Sequence, residues 1–244
     1  MRLAVISDIH GNYRALQAVI KDLDHQRIDT TISLGDTIGY GPEPEEVVRL
    51  LMSRSINSIM GNHELALISS PYYAGLNPTA RESLDLTRLL LSKASLEWLE
   101  TLPSFTLQHD TRFVHGCPPA SITTYLFNPS DTRLKRIFLS YPERVCFAGH
   151  THTLDNFVKP RSGKIQQNRL ETGIVRLEKE HRYLIIPGSV GQPRDTHSNK
   201  AKYAIWDHDH GTIELRAIAY DVASTVKLIH ERGFPSQNAL RLEW

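Results

Sequence analysis

The chain is predicted to be an α/β protein, a four-layer α/β/β/α sandwich of two mixed β-sheets flanked by helices. Three observations lead there. The N-terminal part alternates short apolar, partly β-branched runs with amphipathic stretches, a βαβαβ start. After residue 145 the pattern changes to closely spaced strands and hairpins. Apolar runs at 3–6, 31–34, 56–60, 113–114 and 145–148 each lead into Asp, Asn or His. Strand ends of this kind converge at one rim of a sheet, where α/β proteins commonly place ligands.

In chain order, the strand at 3–6 is followed by a helix over about residues 12–24, whose apolar stripe is Tyr13, Leu16, Val19, Ile20 and Leu23. After the strand at 31–34, a second helix starts near Pro44, with Glu43, Glu45 and Glu46 in a first turn that suits the helix dipole. The strand at 56–60 precedes residues 77–100, where Leu84, Leu86, Leu89, Leu90, Leu96, Trp98 and Leu99 predict one or two helices, a helical insertion placed to cap or wall a cleft. Beyond the strands at 113–114 and 145–148, further strands are expected at 153–158, 172–177, 182–186, 201–206 and 212–219, then a helix at 222–231. The basic Lys159-Pro160-Arg161-Ser162-Gly163-Lys164 reads as a solvated hairpin turn. No Gly/Ser/Pro-rich or charged linker divides the 244 residues, so one domain over 1–244 is expected. The tail at 234–244 carries Leu240, Leu242 and Trp244, which must bury their apolar groups either on their own domain or in a homo-oligomer.

The residues that follow the strands are Asp8-Ile9-His10, Gly35-Asp36, Gly61-Asn62-His63-Glu64, His115-Gly116 and Gly149-His150-Thr151-His152. Carboxylate, amide oxygen and imidazole suit Mn²⁺, Fe²⁺/Fe³⁺, Zn²⁺, Ni²⁺ or Co²⁺, whereas Cys117 and Cys146 lack the spacing of a thiolate site. There are enough ligands for two divalent metal ions. A bridging carboxylate must hold two cations about 3.5–4 Å apart, and Asp36, between Gly35 and Gly39, is the best candidate. The glycines are expected to let backbone and metal approach closely.

These blocks, read as D-x-H, G-D-x-x-G, G-N-H-[DE], a histidine after a strand, and G-H-x-H, resemble the calcineurin-like metallophosphoesterase superfamily over residues 1 to about 207. Gly188-Ser189-Val190-Gly191-Gln192-Pro193-Arg194 is similar to its small bacterial and archaeal phosphodiesterase-like branch. The resemblance implies the same sandwich, Asp8, His10 and His152 on a first metal, Asn62, His115 and His150 on a second, and Asp36 between them. It implies that His63 faces the substrate, donating to a phosphate oxygen or to the leaving group, with Glu64 orienting it.

Water shared by two divalent cations is acidified to a pKa of order 7 in the best-studied zinc case, so a hydroxide bridging the metals is the expected nucleophile, in line with the leaving oxygen. Neutralisation of charge on the non-bridging oxygens is the type of stabilisation that usually contributes most. Arg194 is a candidate phosphate clamp, because a guanidinium pairs bidentately with phosphate; the competing reading is an ion pair with Asp195 or another acid. Ser189 has no base beside it in sequence, which argues against a phosphoseryl intermediate.

Bland readings compete throughout. Asn62 alone would be a turn residue, and Glu64 an acid favoured by a helix N-terminus. Asp207-His208-Asp209-His210-Gly211 looks more metal-like than any block above, yet it lies between two strand-like runs and is read as a hairpin turn. His25, His109, His181 and His230 are expected in structural or solvated roles, and His197 is left open.

With 28 basic and 27 acidic residues the net charge is +1, which gives no general polycation for nucleic acid or an anionic membrane. No apolar run approaches the roughly 20 residues that span a bilayer. The strand starting at Arg2 and the ligands at 8 and 10 leave no room for a cleavable signal peptide, and two cysteines without a partner pattern suit a reducing compartment, so a cytoplasmic location is expected.

The reading is a metal-dependent phosphoester hydrolase acting on phosphodiesters or phosphomonoesters of phosphorylated small molecules or nucleotides. Alternatives are a dinucleoside-polyphosphate or other nucleotide hydrolase and a serine/threonine-type protein phosphatase. The phosphatase branch carries an arginine after its G-D-x-x block where Gly39-Tyr40-Gly41 stands here. A non-catalytic metal-binding scaffold is less favoured, because His63 and every ligand position are intact. Leaving-group choice is expected to lie in cleft walls such as residues 77–100 and the loop around Tyr125.

Overall fold

A computed structural model describes residues 1–195 and 198–243; His197, left open above, and Trp244 of the tail lie outside the described residues. The elements, in order, are β1 (Arg2–Ile6), α1 (Tyr13–Leu23), β2 (Thr30–Ser33), α2 (Pro44–Ser53), β3 (Asn57–Ser58), α3 (Asn62–Ile68), α4 (Ser70–Ala74), α5 (Pro78–Leu90), α6 (Lys93–Glu100), β4 (Phe105–Gln108) and β5 (Thr111–Val114). They continue with α7 (Asp131–Leu139), β6 (Val145–Ala148), β7 (Leu154–Lys159), β8 (Gln166–Arg169), β9 (Gly173–Arg176), β10 (Arg182–Pro187), β11 (Ala201–Asp207), β12 (Thr212–Ile218), α8 (Val222–Glu231) and α9 (Ser236–Leu240).

Two six-stranded mixed sheets result, ordered β3-β2-β1-β11-β12-β9 and β4-β5-β6-β10-β7-β8. Each contains three parallel neighbours, β3-β2-β1 in one and β5-β6-β10 in the other. Antiparallel strands complete both. Alternation along β1 shows how the layers are built. Leu3 and Val5 point into a core between the sheets with Phe113, Phe147, Ile185 and Trp206, while Ala4 and Ile6 meet Leu16, Val19 and Ile20 of α1. On the far side, Leu134, Ile137 and Phe138 of α7 cover Cys146 and Leu184. The four-layer α/β/β/α sandwich is thus observed.

Several details differ from the sequence reading. The strand expected at 56–60 pairs only at Asn57 and Ser58. Glu43 is the N-cap residue of α2 rather than part of its first turn. Residues 77–100 divide into α5 and α6, because Ser92 accepts the N–H of Ser95 and starts a new helix. Both pack through Leu84 and Leu99 against Ile38, Val48 and Met60, beside α3. Short α3, α4, β4 and β8, and α7, were not anticipated. The tail packs on its own chain: Phe234, Ala239 and Leu242 join Ile229 of α8 and Leu86 of α5. Among the described residues, no helix is long and apolar enough to cross a membrane.

A buried ion pair ties β5 to the entry of β6. Arg112 donates from Nε and Nη2 to the two oxygens of Glu143, at 2.8 and 3.0 Å. Burial alone would push the Glu143 carboxyl up, but Arg112 holds it below its ordinary value of 4.5. A carboxylate so depressed contributes stability fully above pH 4.5 and loses it as pH falls through the lower folded-state value. Arg112→Ala, which strands a buried charge, is expected to cost about 3–5 kcal/mol by urea unfolding at neutral pH, with a smaller deficit in acid.

Candidate metal centre

The C-terminal ends of the two parallel trios face one another, and the connections there carry the polar residues. Asp8 and His10 follow β1, Asp36 follows β2 and Asn62 follows β3; His115 follows β5, and His150 and His152 follow β6. All seven are buried, at 4% exposure or less. Ligand atoms of Asp8, His10, Asp36 and His152 form one compact group, and those of Asp36, His115 and His150 a second, so Asp36 is common to both. Asn62 joins the second through Oδ1, 3.1 Å from His115 Nε2. The seven residues singled out from the sequence are therefore brought together, in two groups that share Asp36.

The imidazoles are held as metal ligands are. His10 Nδ1 faces the Ile38 carbonyl at 3.1 Å, His115 Nδ1 that of Leu34 at 2.8 Å, His152 Nδ1 that of Gln192 at 2.6 Å, and His150 Nε2 that of Thr123 at 3.2 Å. A carbonyl only accepts, so each of these nitrogens donates and the other presents a lone pair inward. Those inward nitrogens face each other: His10 Nε2 lies 3.1 Å from His152 Nε2, and His115 Nε2 lies 3.1 Å from His150 Nδ1. Two lone pairs so close, as on His10 and His152, repel, whereas ligand bonds of about 2.0–2.1 Å to one cation place neighbouring donors about 3 Å apart.

Charge points the same way. Burial holds His10 and His152 well below their ordinary value and pushes His150 down to about 3. Burial also pulls on His115, but Asp36, Asp8 and Glu64 overcome it and push it up to about 9. Buried carboxyls thus crowd around His115, and a cation there would be favoured by them. In geometry and donor chemistry the clusters point to a divalent metal centre.

The backbone is strained to build it. Asp8, His10, Asp36, His150 and His152 have φ of 53°, 50°, 50°, 69° and 62°. For residues with a Cβ this left-handed region costs roughly 1–2 kcal/mol each and clusters at functional sites. Cross-links hold it in place: His150 N–H donates to the Asp8 carboxylate at 3.1 Å, and Gly191 N–H donates to the Asp8 carbonyl at 3.0 Å, both across the sheets.

Glu64 does not contact His63 as expected. Its Oε2 accepts the N–H groups of Gly61 (2.7 Å) and Asp36 (2.9 Å), and its Oε1 that of Ile38 (3.2 Å), while Asp36 Oδ1 accepts the His63 N–H at 2.9 Å. Glu64 therefore fixes the Asp36 loop on the first turn of α3. The glycines also serve differently. A Cβ on Gly61 would collide with Asp36, and one on Gly39 with the ring of His63, so they make room for those residues.

His63 is 2% exposed, its ring edge-on to His10 and Tyr40 with centroids 4.9 and 4.6 Å away. Around it stands a rim the sequence analysis largely missed. Tyr40 packs on His10 and His63, Tyr125 stacks on His150 at 3.5 Å, and Tyr72 of α4 reaches Asn62. Arg194 lies here too; its Nη2 donates to Gln192 Oε1 at 3.1 Å, whereas Asp195 pairs with buried Lys202 at 3.0 Å. The Asp207–His210 cluster is the turn between β11 and β12, as expected. His25 follows α1, His109 is in the β4–β5 turn, His181 precedes β10 and His230 lies in α8.

Residues 1–154 match the family model for calcineurin-like phosphoesterases. The chain belongs to that family. It is 32% identical to the uncharacterized protein MJ0912 of Methanocaldococcus jannaschii, over 98% of this chain and 96% of that one. A crystal structure of a metallophosphoesterase from Sphaerobacter thermophilus superposes with a TM-score of 0.83 and 34% identity, over 100% of this chain and 99% of that one. A bis(5'-nucleosyl)-tetraphosphatase (symmetrical) of Delftia acidovorans is 30% identical over 119 residues, 48% of this chain and 41% of the other. By family this metallophosphoesterase is a phosphate-ester hydrolase.

Replacing Glu64 tests its assigned part. Glu64→Gln places an amide N–H₂ against a backbone N–H and is expected to cost about 1–3 kcal/mol. Metal affinity should fall about 10–100-fold, as for lost outer partners of metal ligands, measured by metal analysis after graded chelation.

Proposed function

We propose that this metallophosphoesterase hydrolyses phosphate esters of nucleotide-like small molecules at a site for two divalent cations. Asp8, His10, His152 and Asp36 would hold one, and Asp36, Asn62, His115 and His150 the other. The observation that carries the reading is the sharing of Asp36 between two buried ligand groups whose outer nitrogens all donate to backbone carbonyls. When bound, the cations supply acidified water and neutralise charge on phosphate oxygens.

The chain's own groups do the rest. His63, wedged between Gly39, His10 and Tyr40, is positioned to donate to a phosphate oxygen or to the leaving oxygen, and its Nδ1 has no protein partner. Burial pushes its pKa down, so the resting ring is neutral and serves as a hydrogen-bond donor. Arg194 adds a planar fork at the edge of the site.

A cleft of about 410 Å³ runs from Arg194 past Phe127, Asp155 and Arg169, a volume that suits a small-molecule leaving group. At its mouth Tyr125 and Phe127 stack at 5.0 Å with an interplanar angle of 11° and remain 41% and 52% exposed. With Tyr125 stacked between His150 and Phe127, the outer face of Phe127 is the one offered to a nucleobase, and such stacking contributes about 1–3 kcal/mol. The Delftia relative, similar over 48% of this chain, is named for a nucleotide substrate, which supports a nucleotide-like one here. Gly39-Tyr40-Gly41 stands where the protein-phosphatase branch carries an arginine, which weakens the case for a phosphoprotein substrate.

Protein supplied with Mn²⁺ is expected to hydrolyse bis-p-nitrophenyl phosphate, and exhaustive chelation to abolish this; activity that survives metal removal would sink the dinuclear reading. His63→Ala should lower kcat by about 10²–10⁴ with both metals retained, since a lost donor acts on the transition state. Loss of metal in that variant would make His63 a ligand instead.

A further inference from the structure

Gln192 connects the metal centre to the rim. Its carbonyl accepts His152 Nδ1–H at 2.6 Å, while its side-chain Oε1 accepts Arg194 Nη2 at 3.1 Å and Arg241 Nη1 at 3.3 Å. Two guanidiniums from distant parts of the chain, the segment after β10 and the residue after α9, therefore share one neutral, buried oxygen. Arg194 is half-buried and Arg241 exposed, so both guanidiniums reach the surface beside the site. Burial and then the Arg194 charge hold the Arg241 guanidinium below its ordinary value. Two forks converging on one point can grip a single anion together.

The surroundings aim the pair at the catalytic side. Arg241 lies 5.9 Å above the Tyr40 ring, whose other contacts are His10 and His63. Arg194 is near enough to act on Asp8, His10, His63 and His152, and on the hydroxyls of Tyr40 and Tyr125. Its Nε is buried without a hydrogen bond. The tail is docked, not loose: Asn238 Nδ2 donates to the Tyr40 carbonyl at 2.9 Å and to Ser83 Oγ at 2.8 Å, and Leu242 is buried.

We propose that Arg194 and Arg241 form a subsite for a second phosphate group, adjacent to the one under attack, which makes compounds with linked phosphates the favoured substrates. The inference rests on the hydrolase reading above. Planar forks match phosphate oxygens, a phosphoanhydride continues from the reacting phosphorus through a single bridging oxygen, and Gln192 links His152 directly to both forks.

The test compares calorimetric affinities of the full-length chain for pyrophosphate and orthophosphate. Pyrophosphate should bind more tightly, and Arg241→Gln should remove about tenfold or more of that advantage, the value of a charged hydrogen bond or two. Arg241→Lys, which keeps the charge and loses the fork, should fall between and serves if the glutamine variant does not fold. Equal binding of both anions by wild type, or an advantage kept by a folded Arg241→Gln, overturns the subsite. Hydrolysis of bis-p-nitrophenyl phosphate is scored separately. A chain that cleaves it without an Arg241-dependent advantage keeps the hydrolase reading and loses the subsite; one with the advantage and no cleavage does the reverse.

Discussion

The site depends on the way Asp36 is held. Its carboxylate belongs to both ligand groups, it is buried, and it stands in a left-handed backbone conformation. Left to itself such a residue would relax, displacing both groups at once. It is kept in place by exchange with α3: its N–H donates to Glu64, and its Oδ1 accepts from His63 N–H. Gly61 permits that contact by lacking a side chain. One short helix thereby fixes the shared carboxylate and, on the same turn, places Asn62 and His63.

The rest of the fold can be read as support for that arrangement. Five strained positions, at roughly 1–2 kcal/mol each, amount to a sizeable share of a domain's typical net stability. They persist because the strands that lead into them are buried on both faces. Leu3 and Val5 lock β1 against the other sheet, Ala4 and Ile6 lock it against α1, and Phe113 stacks on Phe147 at 5.6 Å beneath His115 and His150. Backbone bonds then cross from sheet to sheet, with Gly191 and His150 both donating to Asp8. The sandwich acts as a clamp whose two jaws each contribute part of every ligand set.

What could be read from sequence follows from locality. Each ligand sits within a few residues of a strand end, so a local pattern of apolar run, glycine and polar residue locates it, and the common order of the blocks ties them together. The same logic correctly set aside Asp207–His210, whose flanking runs pair as a hairpin. Glu64 was misassigned because sequence adjacency suggested contact with His63, whereas in the first turn of a helix consecutive side chains point apart and its carboxylate turns back to the orphan N–H groups of Gly61 and the Asp36 loop. Tyr40 was visible only as a departure from a pattern. Tyr72 and Arg241 left no signal, since each reaches the site by tertiary packing: α4 beside α3, and the tail on α8 and α5.

That difference separates two kinds of residue in the molecule. Groups that would handle phosphorus lie on strand ends, where the sheets dictate position and little can vary without loss of the clamp. Groups proposed to meet the remainder of a substrate, Tyr72, Tyr125, Phe127, Arg194 and Arg241, stand on short helices, loops and the C-terminal tail, outside the parallel trios. Such elements tolerate change because they are backed by satellite clusters instead of the inter-sheet core. Arg241 shows the dependence most sharply. Its position is set by burial of Phe234, Ala239 and Leu242 far from any ligand, so the apolar character of the tail, which from sequence raised only the question of where it packs, decides which charge stands over Tyr40.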